Sequence, residues 1–245
     1  MMRLSVHWLN DSLLDALEYI MPKKPFTPAE VELQQNRIMD GAARVMAETG
    51  YHQLSMRTLA SRLEMTASNI YNYFPGKESL LLNIRRRGFE LAFRQIFTFS
   101  VGQSGDVRTV LVFLKQLVCF GQAYPGYYAL MFQPPQMTLD ESPELEALNQ
   151  QLNRLIGDWQ QQIQHMLTTV IPTLDDCGSL YRQRVTLFFM ASVHGLISGY
   201  HHNAFPGVIE DQLSEDFLHD FVGRLVAAIG LQTPDIKALP LRQNA

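Results

Sequence analysis

From Leu54 to Leu82 the chain reads L-S-M-R-T-L-A-S-R-L-E-M-T-A-S-N-I-Y-N-Y-F-P-G-K-E-S-L-L-L: two short helical patterns around a three-residue turn, then the opening of a third helix. Met56, Leu59, Ala60 and Leu63 recur at three- and four-residue spacing behind Ser55, whose hydroxyl can cap the first turn, so a two-turn helix is predicted from about Met56 to Leu63. Thr66 stands where a second N-cap is wanted. Beyond it Ile70, Tyr71 and Phe74 form an apolar stripe that leaves Ala67, Ser68, Asn69 and Asn72 on the outer face. Pro75 and Gly76 break this helix, and Lys77 with Glu78 opens the next.

Small and amide side chains on an outer face suit a helix that enters a major groove and touches base edges. The N–H groups of a helix beginning at Lys77 favour an anion such as a DNA phosphate, and the lysine adds a full charge there. The arrangement is that of a helix-turn-helix DNA reader.

Residues 37 to 84 resemble the DNA-binding domain of TetR-family transcriptional regulators. Ala42 to Tyr51 (A-A-R-V-M-A-E-T-G-Y) is similar to the family's first helix with its closing Gly-aromatic pair, and I-Y-N-Y-F-P-G-K-E-S-L-L is similar to its Y-x-x-F-x-x-K-x-x-L stretch. The turn departs from the pattern: its usual glycine is Glu64 here, followed by Met65. A left-handed backbone at Glu64 would cost roughly 1 kcal/mol relative to glycine. The resemblance implies that Arg57, Ala67, Ser68 and Asn72 read base edges, while Ser55, Thr66, Tyr71, Tyr73 and Lys77 grip phosphates. For Tyr71, core packing is the competing reading.

Net charge is −4, yet residues 30 to 90 hold 8 Lys/Arg against 7 Asp/Glu, so the acidic excess lies elsewhere. DNA contacts must then come from a few placed cations rather than a basic surface. Cys119 and Cys177 make no disulfide framework and no metal spacing, and read as buried or idle thiols of a reducing compartment. No signal peptide is evident, so the protein is expected to stay in the cytoplasm. The most apolar run, Val185 to Tyr200, carries His194 in its middle and falls short of the ~18 residues that a membrane span needs, so no membrane partner is expected.

Further helical patterns fall at Lys77 to about Phe99 and at 106–123, 125–133, 143–170, 177–202 and 212–230, with no alternating strand pattern of useful length. The expected fold is all-α: residues 30–84 form a three-helix DNA-binding domain with a helix-turn-helix, joined to a helical ligand-binding and dimerisation domain over 85–232. Residues 1–29 are an extension with an amphipathic stretch (Leu9, Leu13, Leu17, Ile20) and a stiff Pro22 to Pro28 linker, and 233–245 is a tail. The Lys23-Lys24 pair could still reach DNA.

Tyr124 to Phe132 and Met190 to Leu196 resemble effector-domain stretches of a TetR-family branch named for a W-x-x-x-H-G pattern, with Met190 in place of the tryptophan. Ala191, Gly195 and Gly199, with Ser192 and Ser198, make a small face that admits another helix closely. With Leu213, Phe217, Phe221, Leu225 and Ile229 it could build a four-helix interface about a two-fold axis. A homodimer on a palindromic operator is the expectation.

Phe120, Tyr128, Phe132, Trp159 and His194 are the candidate lining of a cavity for an apolar small molecule. Enzyme signatures are absent: there is no H-E-x-x-H or G-x-S-x-G, and the first glycine of a phosphate loop would fall at Tyr71. His194, His201 and His202 lack a ligand spacing, so neither a metal nor a cofactor is expected. Two readings stay open: a regulator, most readily a repressor, released by a small ligand, or a TetR-like DNA binder whose second domain holds a protein partner in a nucleoid or cell-division role. A sealed cavity of several hundred cubic ångströms would favour the first, and a packed domain with an exposed apolar patch the second.

Overall fold

The computed structural model describes residues 26–97, 106–136, 142–202, 204 and 213–230, and every regular element among them is helical. The amphipathic stretch before Pro22, the Lys23-Lys24 pair, Phe99 and the tail lie outside the described residues. The chain divides into two compact units, residues 1–37 and 38–245.

Helix α1 (Pro28–Thr49) starts on a capping box that the linker reading passed over. Thr27 Oγ1 accepts from Glu30 N–H at 3.3 Å, and Glu30 Oε2 accepts from Thr27 N–H at 2.8 Å, with Pro28 in the first turn, where a missing N–H costs nothing. Ile38, Met39, Ala42, Val45 and Met46 give α1 its buried face.

Helix α2 (Met56–Arg62) begins where Ser55 Oγ accepts from Thr58 N–H at 3.0 Å, and α3 (Ala67–Tyr71) where Thr66 Oγ1 accepts from Asn69 N–H at 3.1 Å, so both expected caps form. The turn between them closes as a Schellman motif: Met65 N–H bonds to Ala60 C=O at 2.9 Å and Glu64 N–H to Ser61 C=O at 3.4 Å. Glu64 takes φ 56°, and it is the only non-glycine residue with positive φ among those described. The missing glycine leaves the turn's geometry intact and leaves its cost in place.

Helix α4 (Lys77–Ala92) continues as a π-helical segment, Phe93–Phe97, rather than as α-helix to Phe99. It packs on α6 (Pro125–Phe132) and α7 (Pro143–Val170). Helices α5 (Val107–Ala123), α8 (Ser179–His201) and α9 (Glu215–Gly230) complete the second half. Trp159 of α7 sits at its centre, with the rings of Phe89, Phe93, Phe97, Phe113 and Phe132 between 5.0 and 6.5 Å away. The π segment supplies two of those rings. A widened turn is a usual mark of a functional site in a helix.

Helix α8 buries Val185, Phe189, Val193 and Ile197 and exposes Leu180, Leu187 and Phe188, Leu187 to 67%. The small face expected on it is split: Ala191 and Gly195 are exposed, whereas Gly199 is buried. A helix turns about 100° per residue, so a stripe repeating strictly every fourth residue drifts around the barrel and enters the core by its third member.

Candidate nucleic-acid interface and internal cavity

Helix α3 is anchored by Ile70 and Phe74, both fully buried, and this turns Ser68, Asn69 and Asn72 outward. Tyr71 is 50% exposed, which sets the core-packing reading of that residue aside. Of the other expected contact residues, Ser55, Arg57 and Thr66 are exposed, while Ala67, Tyr73 and Lys77 are half-buried. Arg57 makes no ion pair among the described residues, in contrast to Arg62, which is held by Glu48 at 3.0 Å. The Ser55 and Thr66 hydroxyls spend a lone pair each on capping, and Ser55 Oγ also shares a hydrogen bond with Thr58 Oγ1 at 2.7 Å.

Lys77 is parked. Its ammonium lies 4.1 Å over the Tyr51 ring and donates to Tyr51 C=O at 3.4 Å, and burial lowers its pKa. Tyr51, read from sequence only as part of a Gly-aromatic ending, therefore orients the cation at the start of α4. Exposed hydroxyl, amide and cationic groups thus stand on and beside α2 and α3, with the half-buried Lys77 at the start of α4.

Behind this surface, α6 meets α1 at very short range. A Cβ on Gly126 would lie 1.9 Å from the Ala43 carbonyl oxygen, so only glycine fits there, and one on Gly88 of α4 would lie 2.8 Å from Met131 Sδ. Tyr127 Oη donates to Asp40 Oδ1 at 2.6 Å and accepts from Arg87 Nε at 3.1 Å, while Arg87 also reaches Asp40 at 3.5 Å. Arg85 donates to Met131 C=O at the end of α6. Helix α6 is thereby tied both to α1 and to α4. Its signal in the sequence was the Pro-Gly-Tyr-Tyr run: a glycine in the first turn of a helix permits an approach that no other residue does.

The other side of α6 faces inward. Tyr128 and Phe132 wall a cavity with Trp159, His194, Phe189 and Met190, and Phe113, Leu117, Ile163 and Val193 complete it. Four of the five predicted lining residues are there. Phe120 is not: it lies on the same face of α5 as Phe113 but two turns further along, buried against Tyr124 with ring centroids 5.2 Å apart. The hollow holds about 240 Å³ of empty space counted out to its opening, but clear room inside for only about one water molecule. It falls short of the sealed cavity of several hundred cubic ångströms that would favour a small-molecule ligand over a protein partner. A ligand must displace its walls.

One end of the cavity is polar. Tyr128 Oη lies 3.2 Å from His194 Nδ1, and Gln133 Nε2 donates to Ser198 Oγ at 3.0 Å and to His194 Nε2 at 3.3 Å. Burial, and secondarily the charge of His202, lowers the His194 pKa, so the ring is neutral near pH 7. No cluster of His, Cys, Asp or Glu able to hold a metal occurs among the described residues, and none of their helices is long and apolar enough to cross a membrane. Cys119 is exposed rather than buried.

A short outward helix behind a tight turn, carried on a body whose described elements are all helical, defines a helix-turn-helix protein. Residues 38–84 match the family model for bacterial regulatory proteins of the tetR family. The chain is 33% identical over 57 residues to the HTH-type transcriptional repressor KstR of Mycolicibacterium smegmatis, a match covering 23% of this chain and 28% of that one. It is 26% identical over 98 residues to the HTH-type transcriptional regulator YobS of Bacillus subtilis, covering 40% and 51%. The chain thus spans about a quarter to half of the length of these curated relatives.

Among solved structures, AibR in complex with isovaleryl coenzyme A and operator DNA superposes with TM-score 0.57 at 13% identity, over 79% of this chain and 96% of that one. The fatty acid degradation regulator FadR from Bacillus halodurans gives 0.58 at 16%, over 86% and 100%. The fold is shared over 79% and 86% of this chain and nearly the whole of each neighbour, and the stretch that matches the tetR family model is residues 38–84.

Proposed function

We propose that this protein is a ligand-responsive transcriptional repressor that binds a palindromic operator as a homodimer in the cytoplasm, and that it acts by binding rather than by catalysis. The observation that carries the reading is the two-sided placement of α6: Gly126 and Tyr127 against α1, Tyr128 and Phe132 in the cavity wall. Because the cavity as it stands has room for about one water molecule, occupancy by anything larger moves α6, which bears on α1, or α4, which begins at Lys77. A ligand then has different affinities for the two arrangements, which is the only way it can shift their balance. A hundredfold loss of operator affinity requires about 2.7 kcal/mol of such coupling. AibR, captured with both a ligand and operator DNA, has this fold.

In this reading residues 30–84 are the DNA-binding domain and 85–232 the ligand-binding and dimerisation domain. Arg57, Ala67, Ser68 and Asn72 read bases; Ser55, Thr66, Tyr71, Tyr73 and Lys77 hold phosphates. The exposed apolar stripe Leu180, Leu187 and Phe188 of α8 is the dimer face, joined by Phe217 and Phe221 of α9. That same stripe also supports the second reading, a protein partner docked on α8. Sedimentation separates the two, since a dimer that covers the stripe leaves no docking face. Mapping of chromosomal DNA bound in cells, followed by operator titration with and without small-molecule extract, tests the whole. Discrete palindromic sites released by the extract are expected; sites insensitive to every extract would favour the protein partner.

A further inference from the structure

Among the described residues two buried side-chain polar atoms lack a hydrogen-bond partner, Arg86 Nε and Trp159 Nε1. Arg86 is otherwise served, by Glu90 and Asn83 at 3.3 Å each. Trp159 has one N–H and nothing to receive it, although the residue is 1% exposed and its ring walls the cavity. A buried donor without a protein partner is costly unless something else receives it, and native structures keep few of them.

A second donor stands beside it. Gln133 Nε2 donates to His194 Nε2, so the neutral ring carries its proton on Nδ1 and donates that to Tyr128 Oη. The Tyr128 hydroxyl hydrogen is then left over, on a residue that is itself buried in the cavity wall. Two hydrogens thus belong to residues of the wall, whose free surface is almost wholly apolar. It offers no Lys or Arg to receive an anion and no carboxylate to receive a cation, and its remaining surface is aromatic and aliphatic.

We infer that the cavity takes an uncharged, largely apolar molecule bearing a carbonyl-type oxygen, which accepts from the Trp159 indole N–H with the Tyr128 hydroxyl as second donor. The inference rests on the cavity being the ligand site. It makes Trp159 the specificity-determining residue, because an isostere lacking the oxygen leaves the buried N–H unpaired.

The chain holds two tryptophans, Trp8 and Trp159, so the full-length protein labelled with 15N-tryptophan gives two indole signals, assigned by Trp8→Phe. The probes are cyclic and straight-chain ketones of graded size, each paired with the alkene in which C=CH2 replaces C=O. The expected result is a downfield shift of the Trp159 indole proton with a ketone and not with its alkene, and an affinity for the ketone on the order of tenfold greater. Trp159→Phe should bring that ratio to about one while the alkene still binds. Should that variant fold poorly, the indole shift in the unsubstituted protein decides alone. Equal binding of ketone and alkene with an unmoved indole proton overturns the inference, water only being then the partner of Trp159, and leaves the ligand site standing. Binding of neither series at any size overturns the ligand site itself.

Discussion

Tyr127 Oη lies 2.6 Å from Asp40 Oδ1 and joins α6 to α1 across the face opposite the cavity. Burial raises the Tyr127 hydroxyl pKa far above its ordinary value, so the phenol stays protonated and donates, and Arg87 balances the carboxylate that receives it. Tyr127→Phe keeps the ring and removes the donor. Urea denaturation should show a loss of about 1 kcal/mol, since a bond to a charged group is involved but Asp40 is partly exposed. Operator affinity should shift although Tyr127 touches no proposed DNA contact. If stability and affinity are both unchanged, α6 does not hold α1.

Glu64→Gly should stabilise the protein by about 1 kcal/mol, because glycine takes φ 56° without the steric cost that a side chain carries. Thermal and chemical denaturation both measure it. A destabilised Glu64→Gly would mean that the Glu64 side chain contributes more than its backbone costs.

The helix-turn-helix was legible nearly residue by residue because local chemistry sets it: Ser55 and Thr66 each cap three residues ahead, and Ile70 and Phe74 share one helical face. Boundaries of the later helices held to within a few residues for the same reason. What was not legible depends on tertiary contact. Nothing local marks Asp40, Arg87 and Tyr127 as partners 40 to 87 residues apart. Phe120 and Phe113, seven residues apart on α5, look alike in sequence, yet only the second lines the cavity. The π segment at Phe93–Phe97 is likewise imposed by packing around Trp159.

Lys77→Ala should weaken binding to all DNA sequences alike and reduce the salt slope by about one unit per DNA-binding subunit, because one phosphate loses its counter-cation. Asn72→Ala should leave that slope alone and relax sequence preference. Fluorescence anisotropy over a range of salt concentrations distinguishes the two. An unchanged slope in Lys77→Ala removes the lysine from the phosphate contacts.

Gly195 faces open space, so Gly195→Arg should leave the fold of one protomer intact. Paired with Leu187→Glu, it places charge on the exposed face of α8 and should yield monomers with poor operator binding, since one half-site lacks the avidity of two. Sedimentation velocity reads the outcome; an undisturbed dimer moves the interface away from α8.

Selection of bound duplexes from a random DNA pool by the purified full-length protein, with sequencing of the enriched set, measures the central claim most directly. The account predicts a two-fold palindrome whose half-sites lie about one helical turn apart, roughly 34 to 36 Å or a multiple of it, with enrichment lost in Lys77→Ala. Enrichment of no sequence, or of single sites without two-fold symmetry, would contradict it.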